Sequence, residues 1–149
     1  MDVGEICTRE VVIATRNTTV VEAARLMREY HVGDLVVVDE SEGRRVPVGI
    51  VTDRDIVVGV LALGLDPAVL TVGDIMGSHL VTAAEDDDVY ETLQIMRTRG
   101  VRRVPVVNTA GALVGIVALD DILEIFAEEL DAAVKVVARE QANESQRRR

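Results

Sequence analysis

An α/β fold of two β-α-β-β-α repeats, packed as a pseudo-twofold pair of small sheets flanked by helices, is what this sequence predicts. Three observations carry the expectation. The chain contains itself twice, each copy passes through short apolar runs and helical spacing in the same order, and neither copy is long enough to close a core alone. Slid by 69 residues, Val3-Gly4-x-Ile6 falls on Val72-Gly73-x-Ile75. Val12, Ala14, Val20, Glu22, Met27, Arg28, Val32, Val37 and Val38 then meet identical residues. Further on the shift becomes 66, and Val48-Gly49-Ile50-Val51 matches Val114-Gly115-Ile116-Val117 while Asp55-Ile56 matches Asp121-Ile122. The difference falls at Glu42-Gly43-Arg44-Arg45, a polar turn, where insertions are tolerated. The first repeat spans 3–66, a connector 67–71, the second repeat 72–138 and a tail 139–149.

Each copy opens with a short apolar strand, Val11–Ala14 or Leu80–Ala83. A helix follows, started by Thr19-x-x-Glu22 or Asp88-x-x-Glu91, in which a side-chain oxygen caps free amides and an acid reaches back. Val20, Ala23, Ala24 and Met27 recur at helical spacing, as do Val89, Leu93 and Met96. Gly100 suits the left-handed residue that ends the second of these helices, and His31 occupies the matching place. Two unbroken apolar runs come next, Leu35–Val38 with Val48–Val51, and Val104–Val107 with Leu113–Val117. Such runs predict strands covered on both faces. A further helix begins near Asp53 or Asp120. Val57, Val58, Val60, Leu61, Leu63 and Leu65 do not fit on one helical face, nor do Ile122, Leu123, Ile125, Phe126, Leu130, Val134, Val136 and Val137. One face can meet the sheet, and another needs the other repeat or a second chain. The copies are therefore expected to pack together and the pair to form a homodimer. The tail beyond Arg139 loses its apolar period and is expected to fray.

Composition narrows the function classes. Hydrophobic residues make up 48% of the 149, yet the rings are only Tyr30, Tyr90 and Phe126, too few for base-stacking platforms. A net charge of −10 repels nucleic acid and anionic membranes, so any phosphate must meet a local cationic cluster. Cys7 is alone, which fits a reducing compartment, and its partner in the repeat, Met76, places it at an apolar helix position. Met1–Glu5 has no basic-then-apolar pattern, and Ile56–Leu65 is too short to span a bilayer. A cytoplasmic protein is expected. His31 and His79 lie apart with no ligand cluster, so no metal site is expected, and Glu85–Asp88 lacks the spacing of a calcium loop.

Two segments carry candidate chemistry. In Gly49-Ile50-Val51-Thr52-Asp53-Arg54-Asp55 a hydroxyl and a carboxylate three residues apart sit over the first turn of a helix. They can grip the two hydroxyls of a ribose, or serve only as an ordinary capping box. In Gly100-Val101-Arg102-Arg103-Val104-Pro105-Val106 two guanidinium groups precede a buried strand, suited to a phosphate or simply solvated.

Taken with the duplication, the order and spacing of Gly49-Ile50-Val51-Thr52-x-x-Asp55, the helix Val20–Tyr30 and Val101-Arg102-Arg103-Val104-Pro105-Val106 resemble a pair of cystathionine-β-synthase-type (CBS) domains. The resemblance covers residues 3 to about 130. It implies a regulatory, non-enzymatic module binding an adenosine-containing ligand between the repeats: AMP, ADP or ATP first, then NAD or S-adenosylmethionine, with no cofactor required. It also implies Thr52 and Asp55 on the ribose, Leu80, Val81 and Thr82 on adenine, Pro105 closing one side, and Arg102 and Arg103 on phosphates.

The symmetric cleft, with Val11, Val12, Asp34 and Asp121, departs from that pattern. Ala118 replaces the threonine, Gly33 and Asp34 replace the arginines, and Val36 replaces the proline. It is expected to stay empty or to take an uncharged or cationic adenosine compound. The rival reading is a ligand-free scaffold whose helix faces bind another protein. No catalytic set is visible, and nucleic-acid binding would rest on Arg147-Arg148-Arg149 alone.

Overall fold

The computed structural model describes residues 1–148, so Arg149, the end of the arginine run and of the expected tail, lies outside the described residues. Two three-stranded sheets form, each with a parallel edge and an antiparallel hairpin. The first orders β1 (Ile13–Ala14), β2 (Asp34–Ser41) and β3 (Arg44–Thr52); the second orders β4 (Ala83–Ala84), β5 (Arg103–Val107) and β6 (Leu113–Ala118). Helices α2 (Val20–Tyr30) and α5 (Val89–Arg99) follow the short strands. Thr19 Oγ1 accepts from the Glu22 amide, and the Asp88 carboxylate accepts from those of Tyr90 and Glu91. His31 at φ 55° and Gly100 at φ 68° end these helices in the left-handed conformation.

The opening strands are shorter than expected. Val11, Val12, Leu80 and Val81 stay outside β1 and β4 and line spaces between the repeats, although the Val12 carbonyl still accepts from the Val36 amide at 3.2 Å. Leu35–Val38 is buried throughout, as unbroken apolar runs imply, but β3 and β6 alternate in burial. The less buried face of each looks across those same spaces, through Ile50 and Thr52 or Ile116 and Ala118. The extra residues of the first copy lengthen its hairpin, which turns tightly through Glu42 and Gly43 at φ 52° and 76°.

After β3 comes α3 (Asp53–Ile56), continued by a widened π turn over Val57–Leu61. After β6 comes α6 (Leu119–Arg147), so the segment beyond Arg139, where a frayed tail is expected, is helical to Arg147. Its Glu, Gln, Ala and Arg residues favour helix, no Gly or Pro interrupts them, and Arg148 pairs with Glu144 one turn back. Both segments expose apolar side chains: Val57, Val58, Leu61, Leu63 and Leu65 on one, Leu123, Leu130, Val134, Val136 and Val137 on the other. No helix among the described residues is long and apolar enough to cross a membrane.

The cores do not coincide with the sequence repeats. The leading helix α1 (Val3–Ile6) packs on the second repeat, and its counterpart α4 (Val72–Ile75) packs on the first. Val3 joins Val89, Met96, Val104, Val106, Val117 and Ile122, while Val72 joins Val20, Met27, Leu35, Val37, Val51 and Ile56. Backbone bonds hold both exchanges: the Gly4 amide donates to the Glu85 carbonyl at 2.8 Å, and that of Gly73 to the Arg16 carbonyl at 3.0 Å. A Cβ on either glycine would stand 2.9 Å from that same carbonyl oxygen, which explains why Val-Gly-x-Ile recurs at the head of both copies. Cys7 and Met76 are the residues that end these short helices, one step beyond the expected helical position, because each chain turns extended there.

Val3→Ala and Val72→Ala are each expected to cost about 2 kcal/mol, the loss of a fully buried valine side chain. Hydrogen exchange should show the crossing: Val3→Ala speeds exchange in β5 and β6, and Val72→Ala in β2 and β3. Loosening confined to the mutated residue's own sequence repeat would refute the exchange.

Candidate functional site

The first cavity, about 500 Å³, lies between the repeats. From the first repeat come Ile50, Thr52, Arg54 and Asp55 at the end of β3 and the start of α3; from the second come Leu80, Val81, Val101, Arg102 and Arg103. Thr52 and Asp55 do cap the helix: Asp55 Oδ2 accepts from the Thr52 amide at 2.9 Å, and Thr52 Oγ1 accepts from the Asp55 amide at 3.1 Å. The box does not exclude the other role. It fixes both side chains at the cavity wall, leaving the hydroxyl proton and the second carboxylate oxygen outside this reciprocal pair.

Thr52, Asp55, Leu80, Val81, Arg102 and Arg103 are thus brought together, while Thr82 and Pro105 are not. Thr82 is exposed at the approach to β4 and is not part of the cavity lining. Pro105 is buried opposite Ile116 in the middle strand of its sheet, between Val104 and Val106, which belong to the core, and is not part of the cavity lining. His79, Gly77 and Asp34 also border this cavity. His79 corresponds in the repeat to Glu10, which borders the second cavity.

That second cavity, about 310 Å³, holds Val11, Val12, Asp34 and Asp121 as expected from the alignment, with Glu10, His31, Arg103, Ile116, Ala118 and Asp120. Asp121 Oδ2 accepts from the Ala118 amide at 3.0 Å, but Ala118 has no hydroxyl to complete the box. The charges of the two cavities are opposed. Three arginines face two aspartates in the first, whereas Glu10, Asp34, Asp120 and Asp121 face the single Arg103 in the second. A wider surface along Ala132–Arg147 is one side of α6 with no opposing wall, and forms no cleft.

Two ion pairs lie where the cavities adjoin. Arg103 Nε stands 3.3 Å from Asp34 Oδ1, with the Asp34 side chain only 10% exposed. Arg102 reaches Asp120 at 3.2 Å, both largely exposed. Burial pushes the Asp34 carboxyl above its ordinary value; Arg103 opposes the rise and the nearby Asp53 charge adds to it.

Twin three-stranded sheets with a cleft between them, a hydroxyl–carboxylate pair on one wall and arginines on the other, define a class of tandem α/β repeat pairs. The CBS domain family matches residues 3–61 and 72–128, and the chain belongs to it. An uncharacterized protein of Methanopyrus kandleri is 38% identical over 125 residues, 84% of this chain and 62% of that protein's length. Among solved structures, the CBS domain pair of protein MJ0100 in complex with 5′-methylthioadenosine and S-adenosyl-L-methionine superimposes with a TM-score of 0.75 at 30% identity, covering 87% of this chain and 98% of that one. A CBS domain protein of Pyrobaculum aerophilum complexed with AMP gives 0.73 at 29%, covering 81% and 89%.

Because the folded state raises the Asp34 pKa, the folded protein holds that proton more tightly than the unfolded chain. Ionised Asp34 therefore lowers stability above its folded pKa, and the loss disappears below the ordinary aspartate value. Asp34→Asn is expected to melt at a higher temperature than wild type at pH 7, with the gap closing at strongly acidic pH. Calorimetry showing an equal or lower melting temperature at pH 7 would overturn this.

Proposed function

We propose that the chain is a cytoplasmic regulatory sensor that binds one anionic adenosine ligand, AMP, ADP or ATP, in the first cavity and signals occupancy to a partner protein. The observation that carries the reading is the composition of that cavity. One repeat supplies a fixed hydroxyl and carboxylate for a ribose, and the other supplies apolar walls and two arginines for phosphate. Arg102 can be diverted at little cost, because an exposed pair such as its contact with Asp120 contributes at most about 1 kcal/mol. The AMP-bound relative from Pyrobaculum supports the ligand class. Adenine is assigned to Ile50, Leu80, Val81 and Val101, the apolar part of the lining.

The second cavity rejects phosphate on this reading, since its carboxylates would face the anion. An uncharged or cationic adenosine compound such as S-adenosylmethionine suits it better. A bound ligand bridges both repeats, so it can bias any equilibrium in which they shift relative to one another.

A second reading, an assembly scaffold, is favoured by the exposed apolar residues of the π turn, of Leu63 and Leu65 after it, and of α6. Self-association through these faces fits either reading. Val58→Asp with Leu61→Asp is expected to convert an associated species to monomer in light scattering; no change in mass would exclude this face from the contact.

Titration calorimetry is expected to give one AMP per chain. At 100 times its dissociation constant AMP should raise the melting temperature by about 5–10 °C. Asp55→Asn, which keeps a capping oxygen, should weaken AMP by roughly 10- to 150-fold, as expected for a lost hydrogen bond to a charged group. Two equal AMP sites would sink the asymmetry, and no shift with any adenosine compound would leave the scaffold reading.

A further inference from the structure

Asp34 and Arg103 are the same position of the repeat, 69 residues apart. A position that touches its own counterpart must lie near the pseudo-twofold axis, and these two stand 3.3 Å apart. Had the copies stayed identical there, two like charges would meet. The sequences have diverged to opposite charges, and the pair spans the boundary between the cavities, with both residues lining both. Asp34 depends on this partner: its side chain is nine-tenths buried, and its neighbour Asp53 repels it. Arg103, 40% exposed, can turn toward either cavity.

We propose that this pair couples the two clefts: an anion bound in the first draws Arg103 away from Asp34, and the carboxylate so uncovered makes the second cleft prefer a cation. The inference rests on the ligand-binding reading of both cavities. An anion in the first and a cation in the second then strengthen each other, whereas two anions compete for one arginine. Arg102 and Asp120 repeat the arrangement, a cation of the first cavity joined to a carboxylate of the second. That pair is exposed and screened by water and salt, so it contributes little to the coupling.

The test uses AMP as the anion and S-adenosylmethionine as the cation, titrated into the full chain separately and then each in the presence of the other. S-adenosylmethionine is expected to bind about 5- to 150-fold more tightly when AMP is saturating, and AMP must gain by the same factor. In Asp34→Asn the coupling should fall to near unity while AMP alone binds more tightly, since Arg103 is no longer shared. Asp120→Asn should keep most of the coupling. Equal S-adenosylmethionine affinity with and without bound AMP would overturn the coupling while leaving the sensor reading intact. If coupling survived in Asp34→Asn but vanished in Asp120→Asn, the wrong pair would have been assigned. Binding of neither compound would remove the sensor reading itself, and the coupling with it.

Discussion

The exchange of leading segments is the constraint on which the molecule depends. Val3 fills the core of the second repeat and Val72 that of the first, each fully buried, so neither core is complete without chain from the other copy. Two small domains joined by a connector would be free to separate. Here the connector returns α4 to the first sheet before the second begins, and each unit closes its core on the other's leading helix. The clefts are consequences of this closure. The segments that follow α1 and α4 cross from one repeat to the other, carrying Val11 and Val12, or Leu80 and Val81, along the junction.

Within that frame the same geometry was used twice and then made unequal by a few side chains. Ala118 stands in the counterpart cleft where Thr52 stands in the first, and Arg103 faces Asp34 across the axis. A carboxylate or guanidinium near the junction acts on both cavities because the separation is a few ångströms and burial weakens screening by water. Divergence at an axis position therefore changes two sites at once, whereas a change far from the axis affects one.

Much of this was legible in the chain. The offsets of 69 and 66 placed the hairpins, the capped helices and the left-handed His31 and Gly100, because these depend on local chemistry that each copy states independently. The gathering of Thr52 and Asp55 with Leu80, Val81, Arg102 and Arg103 followed from the family pattern. Thr82 and Pro105 do not line that cavity, and whether a single residue at a strand or its approach faces a cleft depends on register, which spacing does not reveal. The helical form of the tail was not legible for a different reason. Apolar periodicity reports packing, and a helix lying in solvent can persist on propensity and i,i+4 pairs without it.

By itself the sequence determined the duplication, the order of strands and helices, the caps and the family, since these follow from residue identity and spacing over a few turns. Only the tertiary structure decided which copy each leading helix completes, that Asp34 and Arg103 meet, and that they stand between two cavities of opposed charge. Those facts depend on how two copies lie against each other in space. A repeat offset shows which positions correspond, but not which corresponding positions touch.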